Sequence, residues 1–376
     1  MGHAYTPGLK VTKRAVVRKQ RLLPIKGDVL VKKGDKVKPN DIVAKTELPG
    51  IVLPVNLANR LGVLPADVPS IVTIKEDQRV EAETTIATSK SFFGLFTNEY
   101  KTPIASTLES VSNITGQLIL RGDPIPVEVR AYITGTVTEI FPEEGVMIEE
   151  VAAYIQGIFG IGGEVDGTLE VISETLDDVV DEHKIKPEHK GKILVAGSLV
   201  TGAALNKAVE YGVSGIITGG FEDQDLKAFL GYDIGVAITG TEEKGISLVV
   251  TEGFGQIKMA PRTFNLLKSH NGHLVSINGS TQIRAGVIRP EVIIPLGEEL
   301  QADIPSAESE GAALKIGAYL RIIRRPNFGE IGVVTELPPD PTKLDSGTYA
   351  RILKLKLNKN GEEVIVPRSN VEMIEE

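Results

Sequence analysis

The chain of 376 residues contains no cysteine and no tryptophan, and only 5% of its residues are aromatic. The absence of cysteine excludes disulfides, thiolate metal sites and a cysteine nucleophile. Because 41% of the residues are hydrophobic and so few are aromatic, the cores must consist mainly of valine, isoleucine and leucine. At this length we expect two to four globular domains.

Long apolar runs are missing as well. No stretch approaches the roughly 20 apolar residues that a membrane helix needs. No apolar segment follows the polar N-terminus, as one does in a secretory signal. We therefore expect no membrane partner and a cytoplasmic location.

Histidine is scarce, and the five histidines do not form a convincing metal set. His270 and His273 flank a glycine-containing turn. This pattern fits either zinc ligation by the two imidazoles or a simple solvated turn. The sequence favours the solvated turn. We predict no metal site and no cofactor.

Charge is unevenly distributed along the chain. The net charge of −9 disfavours nucleic-acid binding by the whole molecule. Residues 1–26 contain seven Lys or Arg and no acid, whereas residues 131–183 contain thirteen Asp or Glu and no Lys or Arg. The favoured interpretation is two solvated faces of opposite sign. The alternative is contact between copies, or docking of the basic segment on an acidic partner.

A short pattern recurs three times in the first half of the chain, over 31–44, 74–87 and 140–153. Each copy has an apolar residue, a polar turn, a valine and then a second apolar position. The first two copies share one register at an offset of 43 residues. The valines Val37, Val80 and Val146 are predicted to return to the core after the turn. Because one copy cannot bury its own apolar side, we expect copies to pair.

This pattern, with flanking segments at 102–112 and 132–140, resembles the barrel-sandwich hybrid of lipoyl and biotinyl domains. The resemblance covers about residues 22–172 and implies an all-β module. Members that carry a covalent cofactor present a lysine at a hairpin tip, flanked by Asp or Met. Neither Lys45 nor Lys90 has such flanking residues. The resemblance therefore implies a docking or structural module without a covalent cofactor.

From residue 184 onward, apolar strands alternate with amphipathic helices. Strands are predicted at 192–196, 214–218, 234–238, 246–250, 275–277 and 292–294, and helices at 201–211, 223–230 and 261–268. This alternation predicts an α/β layer with a largely parallel sheet.

Small and hydroxyl residues follow these predicted strands. The carboxyl ends of parallel strands line one crevice, where backbone N–H groups could bind an anion. Strand-to-helix turns need the same residue types in any case. The candidate ligand-binding residues are Gly197, Ser198, Thr218, Gly219, Gly220, Thr239, Gly240, Thr251, Glu252 and Gly253. No Walker loop or dinucleotide fingerprint accompanies them, so no catalytic residue is assigned.

The C-terminal part, residues 314–376, is predicted to be a small SH3-like β-barrel that follows a polar linker at 297–313. The stretch 325–334 resembles a KOW motif, and Asn360-Gly361 predicts a hairpin turn. This resemblance implies contact with RNA or protein, and interspersed acids favour protein. The candidate surface residues are Arg321, Arg324, Arg325, Gly332 and Arg351.

Together these patterns predict a multidomain protein. It has a basic N-terminal arm at 1–21, an all-β barrel-sandwich hybrid region at 22–183, an α/β domain at 184–296 and the KOW-like barrel. The leading hypothesis is a non-enzymatic scaffold or adaptor that binds protein partners in a cytoplasmic assembly, and homo-oligomerisation is left open. One alternative is an enzyme or sensor for a nucleotide or phosphorylated metabolite. The other is a ribosome- or RNA-polymerase-associated factor.

Overall fold

The computed structural model describes residues 9–91, 96–232, 242, 244–282, 288–299, 304–307, 314–322, 327, 330–343, 349–358 and 360–374. The protein is mostly β, with 48% strand and 14% helix. The predicted strand at 234–238 and most of the predicted linker lie outside the described residues.

The first β region contains seven strands. They are β1 (Val11–Leu22), β2 (Asp28–Val29), β3 (Lys36–Val37), β4 (Ile42–Leu48), β11 (Ile125–Arg130), β12 (Gly135–Phe141) and β13 (Gly145–Gln156). The segment predicted as a basic arm largely forms β1, which pairs antiparallel along the whole of β13. The first β region therefore starts one strand earlier than the sequence indicated.

The polar turn recurs at all three predicted positions. Gly34, Asp77 and Glu143 occupy equivalent places, and all three have positive φ, at 94°, 65° and 61°. Val37 and Val146, which follow two of these turns, lie in the same core. Val80, which follows the turn of the second copy, lies in a separate core. Pairing between copies is therefore confirmed for the first and third, while the second packs within its own unit.

That unit, which we call the inserted subdomain, comprises residues 49–124. Its strands are β5 (Val52–Asn56), β6 (Arg79–Val80), β7 (Thr85–Ser91), β8 (Phe96–Lys101), β9 (Ser106–Val111) and β10 (Gln117–Gly122), and its helices are α1 (Leu57–Leu61) and α2 (Val68–Ile71). The core draws on buried aliphatic residues such as Leu57, Ile86 and Leu118. Leu48 and Ile125 face each other in the β4–β11 pair, so the subdomain emerges from the end of that hairpin.

The central region builds much of a large mixed sheet. Its strands in that sheet are β14 (Phe159–Ile161), β15 (Glu164–Val171), β17 (Lys192–Val195), β19 (Gly215–Phe221), β20 (Ser247–Phe254), β21 (Leu274–Asn278) and β22 (Glu291–Pro295). Two short strands, β16 (Val179–Val180) and β18 (Leu199–Val200), pair with each other in a separate parallel ladder. The helices of the region are α3 (Gly202–Glu210), α4 (Asp223–Leu230) and α5 (Pro261–Ser269). Helices α3 and α4 pack on one face of the sheet, and α5 packs on the other.

The prediction of a largely parallel sheet needs correction. The sheet runs in the order β14-β20-β19-β17-β15-β21-β22-β13-β12-β3. Among the strands that the structure describes in this sheet, only β15, β17, β19 and β20 are mutually parallel, whereas the flanking pairs are antiparallel. β14 and β15, which the sequence placed in the first region, belong to this sheet. β13 pairs with β12 and β22, so one sheet crosses the predicted boundary at 183.

The C-terminal unit forms an antiparallel sheet in the order β28-β27-β24-β23-β29. Its strands are β23 (Tyr319–Ile322), β24 (Ile331–Glu336), β25 (Thr342–Lys343), β26 (Tyr349–Ala350), β27 (Ile352–Leu357), β28 (Glu363–Pro367) and β29 (Val371–Ile374). The predicted hairpin at Asn360-Gly361 is confirmed between β27 and β28, with Gly361 at φ 72°. Gly332 lets two strands approach closely, because a Cβ there would lie 2.5 Å from the Lys356 carbonyl oxygen.

Candidate functional site

The first predicted strand end, at Gly197 and Ser198, is covered by the loop 174–178. A Cβ on Gly197 would lie 2.7 Å from the carbonyl oxygens of both Thr175 and Asp178. The Ser198 hydroxyl donates to the Asp177 carbonyl at 2.7 Å, and the Ser198 N–H donates to the Asp178 carbonyl at 2.8 Å. Hydrogen bonds from the Thr175 hydroxyl and the Glu174 N–H lower the pKa of Asp178 to about 2 and hold this loop together.

The second strand end, at Thr218, Gly219 and Gly220, is covered by the segment 255–259. A Cβ would lie 2.3 Å from the Ile257 carbonyl oxygen at Gly219 and 1.9 Å from the Gly255 carbonyl oxygen at Gly220. The buried Thr218 hydroxyl donates to the Gly220 carbonyl at 3.0 Å. Close packing of main chain on main chain therefore accounts for both glycines.

The third strand end holds Thr251, Glu252 and Gly253. The Thr251 hydroxyl donates to the Thr218 carbonyl at 3.3 Å. The buried Glu252 carboxylate accepts from the Ala260 N–H at 2.9 Å and forms an ion pair with Arg321 of the C-terminal unit. Gly253 has φ 146°, in the region that favours glycine. Thr239 and Gly240 lie outside the described residues.

The described candidates thus lie at one edge of the sheet, and their polar groups bond to one another, to the covering segments and to Arg321. Glu252 and Arg321, which the sequence assigned to two different sites, bind each other. An anion site at this edge stays a prediction, because it would require the covering segments to move.

The basic surface predicted for the C-terminal unit is also partly engaged. Arg368 donates to the carbonyls of Ile352 and Pro338, and Lys354 pairs with Glu336. Arg351 is exposed, whereas Arg324 and Arg325 lie outside the described residues. Among the described basic residues of this unit, Arg321, Lys354 and Arg368 are therefore engaged within the chain.

Five basic residues of β1 and its flank pair with acids of the same chain. The ion pairs are Arg14–Glu298, Arg18–Glu149, Lys19–Glu291, Arg21–Glu164 and Lys26–Glu143, at 2.6–2.8 Å. These ion pairs within the chain account for the uneven charge, so it requires neither two fully solvated faces nor an acidic partner. Antiparallel pairing of β1 with β13 places the two segments side by side.

Sequence reasoning missed a buried polar cluster around Glu291. One carboxylate oxygen accepts from the Lys19 ammonium at 2.7 Å and from the Tyr132 hydroxyl at 3.1 Å, and the other accepts from the Tyr154 hydroxyl at 3.1 Å. Burial, and then the charge of Glu291, raise the pKa of Tyr132 well above its ordinary value. Tyr132 also has φ 68°, an unusual conformation for an aromatic residue. No local spacing connects these four residues, so no motif could have revealed them.

A pocket of about 490 Å³ lies beside this cluster, between β1 and β11. The Arg21 guanidinium lines it, binds Glu164 through two hydrogen bonds of 2.7 Å and lies over the Tyr132 ring at 5.5 Å. The opposite wall is formed by Glu128 and Arg130. Charges of both signs line the pocket, and Arg21 is held by Glu164.

The outer end of the inserted subdomain exposes large aliphatic side chains. Ile114 is 84% exposed and Leu64 is 70% exposed. Both belong to the end where the loop 112–116 packs against Ala58 and Pro65, as the close approach of Gly116 to both residues shows. Ile51 lies at the opposite, hairpin end of the subdomain and is 63% exposed.

The candidate carrier lysine is not at a hairpin tip. Lys45 lies in the middle of β4, opposite Asp28 and Glu128 on the neighbouring strands. Among the described residues, no group of three or more His, Asp or Glu is arranged to hold a metal ion. The side chain of Lys90 lies outside the described residues.

None of the helices in the described part of the chain is long and apolar enough to cross a membrane. Comparison of the sequence with protein-family models and with curated proteins gives no match.

Proposed function

We propose that the protein is a non-enzymatic scaffold or adaptor that docks partner proteins through the inserted subdomain. The observation that carries this proposal is the position of that subdomain. It emerges from the β4–β11 hairpin, has its own core, and exposes Leu64 and Ile114 at the end farthest from the hairpin. Exposed aliphatic side chains grouped on a surface are typical of protein contact sites.

The finer fold assignments belong to the same proposal. The shared core of the first and third turn copies supports a barrel-sandwich hybrid in the first β region. The five-stranded antiparallel sheet with its close approach at Gly332 supports a KOW-like barrel at the C-terminus. In carrier domains a hairpin tip presents the modified lysine. Here the comparable hairpin would present a docking domain.

The engagement of the strand-end groups favours docking over catalysis. Ser198, Thr218 and Thr251 donate to main-chain carbonyls, and Glu252 pairs with Arg321. An active site needs such groups directed toward a substrate. In this state of the protein they are directed toward the chain itself.

The test is affinity capture of the tagged protein from its source cells, comparing wild type with a Leu64→Asp/Ile114→Asp variant. We expect specific partners to be lost from the variant and retained by Ile51→Asp, which adds a negative charge at the other end of the subdomain. Partners that all three proteins retain would contradict docking at this surface.

Two further measurements address the alternatives. A thermal shift with nucleotides or phosphorylated metabolites would support the ligand-binding enzyme or sensor. Salt-sensitive RNA binding that is lost in Arg324→Glu/Arg325→Glu would support the ribosome- or polymerase-associated factor. We expect neither result from an adaptor.

A further inference from the structure

His270 and His273 bring two imidazole nitrogens together at the end of α5. Their Nδ1 atoms are 3.0 Å apart, and the ring centroids are 5.1 Å apart. His270 is half-buried and His273 is exposed, so the pair is reachable from solvent. The two Nδ1 atoms therefore face one small region of space.

The turn that holds the two rings is fixed to β15 on both sides. The His273 N–H donates to the His270 carbonyl at 3.0 Å, and Gly272 adopts φ 86° between the two rings. The Gly272 N–H donates to the Leu169 carbonyl, and the Leu169 N–H donates to the His273 carbonyl, both at 2.8 Å. The Asn271 side chain accepts from the Val171 N–H at 2.8 Å. Such anchoring lowers the entropy cost of holding both rings on one ligand.

The separation of the two nitrogens matches a particular metal geometry. With metal–imidazole bonds of about 2.0–2.1 Å, two ligands at right angles lie about 2.9 Å apart, and two tetrahedral ligands lie about 3.3 Å apart. In the metal-free pair the 3.0 Å separation is that of a hydrogen bond between the two rings, and the rings need only a small movement to reach the right-angled arrangement. Square-planar and tetragonal sites with nitrogen ligands are typical of Cu²⁺, which also binds such ligands most strongly among the divalent first-row metals.

We propose that His270 and His273 form a two-imidazole chelate for Cu²⁺, with water or an anion in the remaining positions. In the neutral pair, one Nδ1–H donates to the other Nδ1. On binding, that proton moves through solvent to Nε2 of the same ring, and both Nδ1 lone pairs coordinate the metal. This exchange conserves protons and involves no change of oxidation state.

The space beside His270 also suits this chelate. A pocket of about 460 Å³ adjoins His270 and gives room for exchangeable ligands. Lys13 and Arg262 line the same pocket, so their charge favours an anion there over a second cation.

The test is a Cu²⁺ titration of the full chain, followed by visible absorption and electron paramagnetic resonance. It is run in a His3→Gln background, so that His3 contributes no imidazole. We expect one Cu²⁺ per chain with hyperfine coupling to two imidazole nitrogens. His270→Gln and His273→Gln should each weaken binding at least about tenfold, because either change removes one of the two ligands.

His183→Gln is the matched control, because its side chain is 83% exposed and lies elsewhere on the surface. It should leave the affinity and the spectrum unchanged. Circular dichroism of each variant without metal checks that folding is retained. Equal Cu²⁺ binding by the parent and both variants, a signal with fewer than two nitrogens, or tighter binding of Zn²⁺ than of Cu²⁺ would overturn the proposal.

Discussion

Glu291 accepts hydrogen bonds from three side chains that lie 137 to 272 residues away in the sequence. Its carboxylate joins β1, β13, β22 and the connection before β12. A buried charge is tolerated only when its partners satisfy it. The cluster therefore depends on several elements arriving together, and each residue in it constrains the others.

Replacing Glu291 with glutamine should lower the free energy of unfolding by about 3 kcal/mol, because the Lys19 ammonium then loses its carboxylate partner in a largely buried site. Urea denaturation measures the change. Glu298→Gln is the matched control, because Glu298 and its partner Arg14 are each about 40% exposed. Such a pair is worth less than about 1 kcal/mol. Equal losses in the two variants would contradict the assigned role of Glu291.

The lowered pKa of Asp178 predicts how the stability of the fold depends on pH. Its native pKa of about 2 lies below the unfolded value of about 3.9, so the folded state favours the carboxylate. The resulting stabilisation is present above about pH 4 and is lost as the pH falls toward about 2. Asp178→Asn should flatten the slope of unfolding free energy in that window, as measured by urea denaturation at several pH values. An unchanged slope would show that the loop 174–178 does not hold this carboxylate.

At the scale of elements, the repeated turn is the feature that the sequence identified best. The spacing of apolar residues located the three polar turns, in which Gly34, Asp77 and Glu143 adopt positive φ in the structure. The sequence did not indicate which copies share a core, because all three have similar apolar positions. Contacts made by β1 and β13 decide that Val37 packs with Val146.

Exchange between equivalent turn positions tests the repeat. Asp77→Gly should stabilise the protein by about 0.5–1 kcal/mol, because φ 65° is strained for aspartate and allowed for glycine. Gly34→Asp should have the opposite sign at the matching position, where φ is 94°. Thermal unfolding of both variants gives the comparison. Effects of the same sign would show that the two turns are not equivalent.

The inserted subdomain should be separable from the rest of the chain. Replacing residues 49–124 with Asn-Gly joins Leu48 to Ile125, which already face each other across β4 and β11, through a two-residue hairpin turn. We expect the shortened protein to unfold cooperatively, and the isolated subdomain to fold on its own core. Circular dichroism and the dispersion of amide chemical shifts in NMR spectra report on the folding of both proteins. Loss of cooperative unfolding in the shortened protein would contradict this division.

At the scale of the whole molecule, the uneven charge of the sequence is neutralised inside one chain. The basic strand β1 lies along β13, and its side chains reach acids on several elements. The C-terminal unit is joined to the central region by the buried pair Arg321–Glu252. Electrostatic contacts between distant segments thus connect parts that the sequence presented as separate domains.

Removing one member of the Arg321–Glu252 pair should loosen the C-terminal unit. Arg321→Met leaves a buried carboxylate without its cation, so we expect the C-terminal unit to melt earlier than the rest in calorimetry. Adding Glu252→Gln should restore part of the loss, because the uncompensated charge is then gone. Arg351→Met is the control, because Arg351 is exposed. A single unchanged transition in Arg321→Met would contradict this connection.

The sequence by itself determined the local features of the protein. It located α4 at Asp223–Leu230, the start of α5 at Pro261, the hairpin at Gly361 and the repeated turns, because helix periodicity, caps and turn chemistry act over a few residues. Only the tertiary structure decided which strands run parallel, which turn copies share a core, and which charges pair. Those outcomes depend on contacts between residues more than a hundred positions apart, such as Lys19 with Glu291, and no local pattern encodes them.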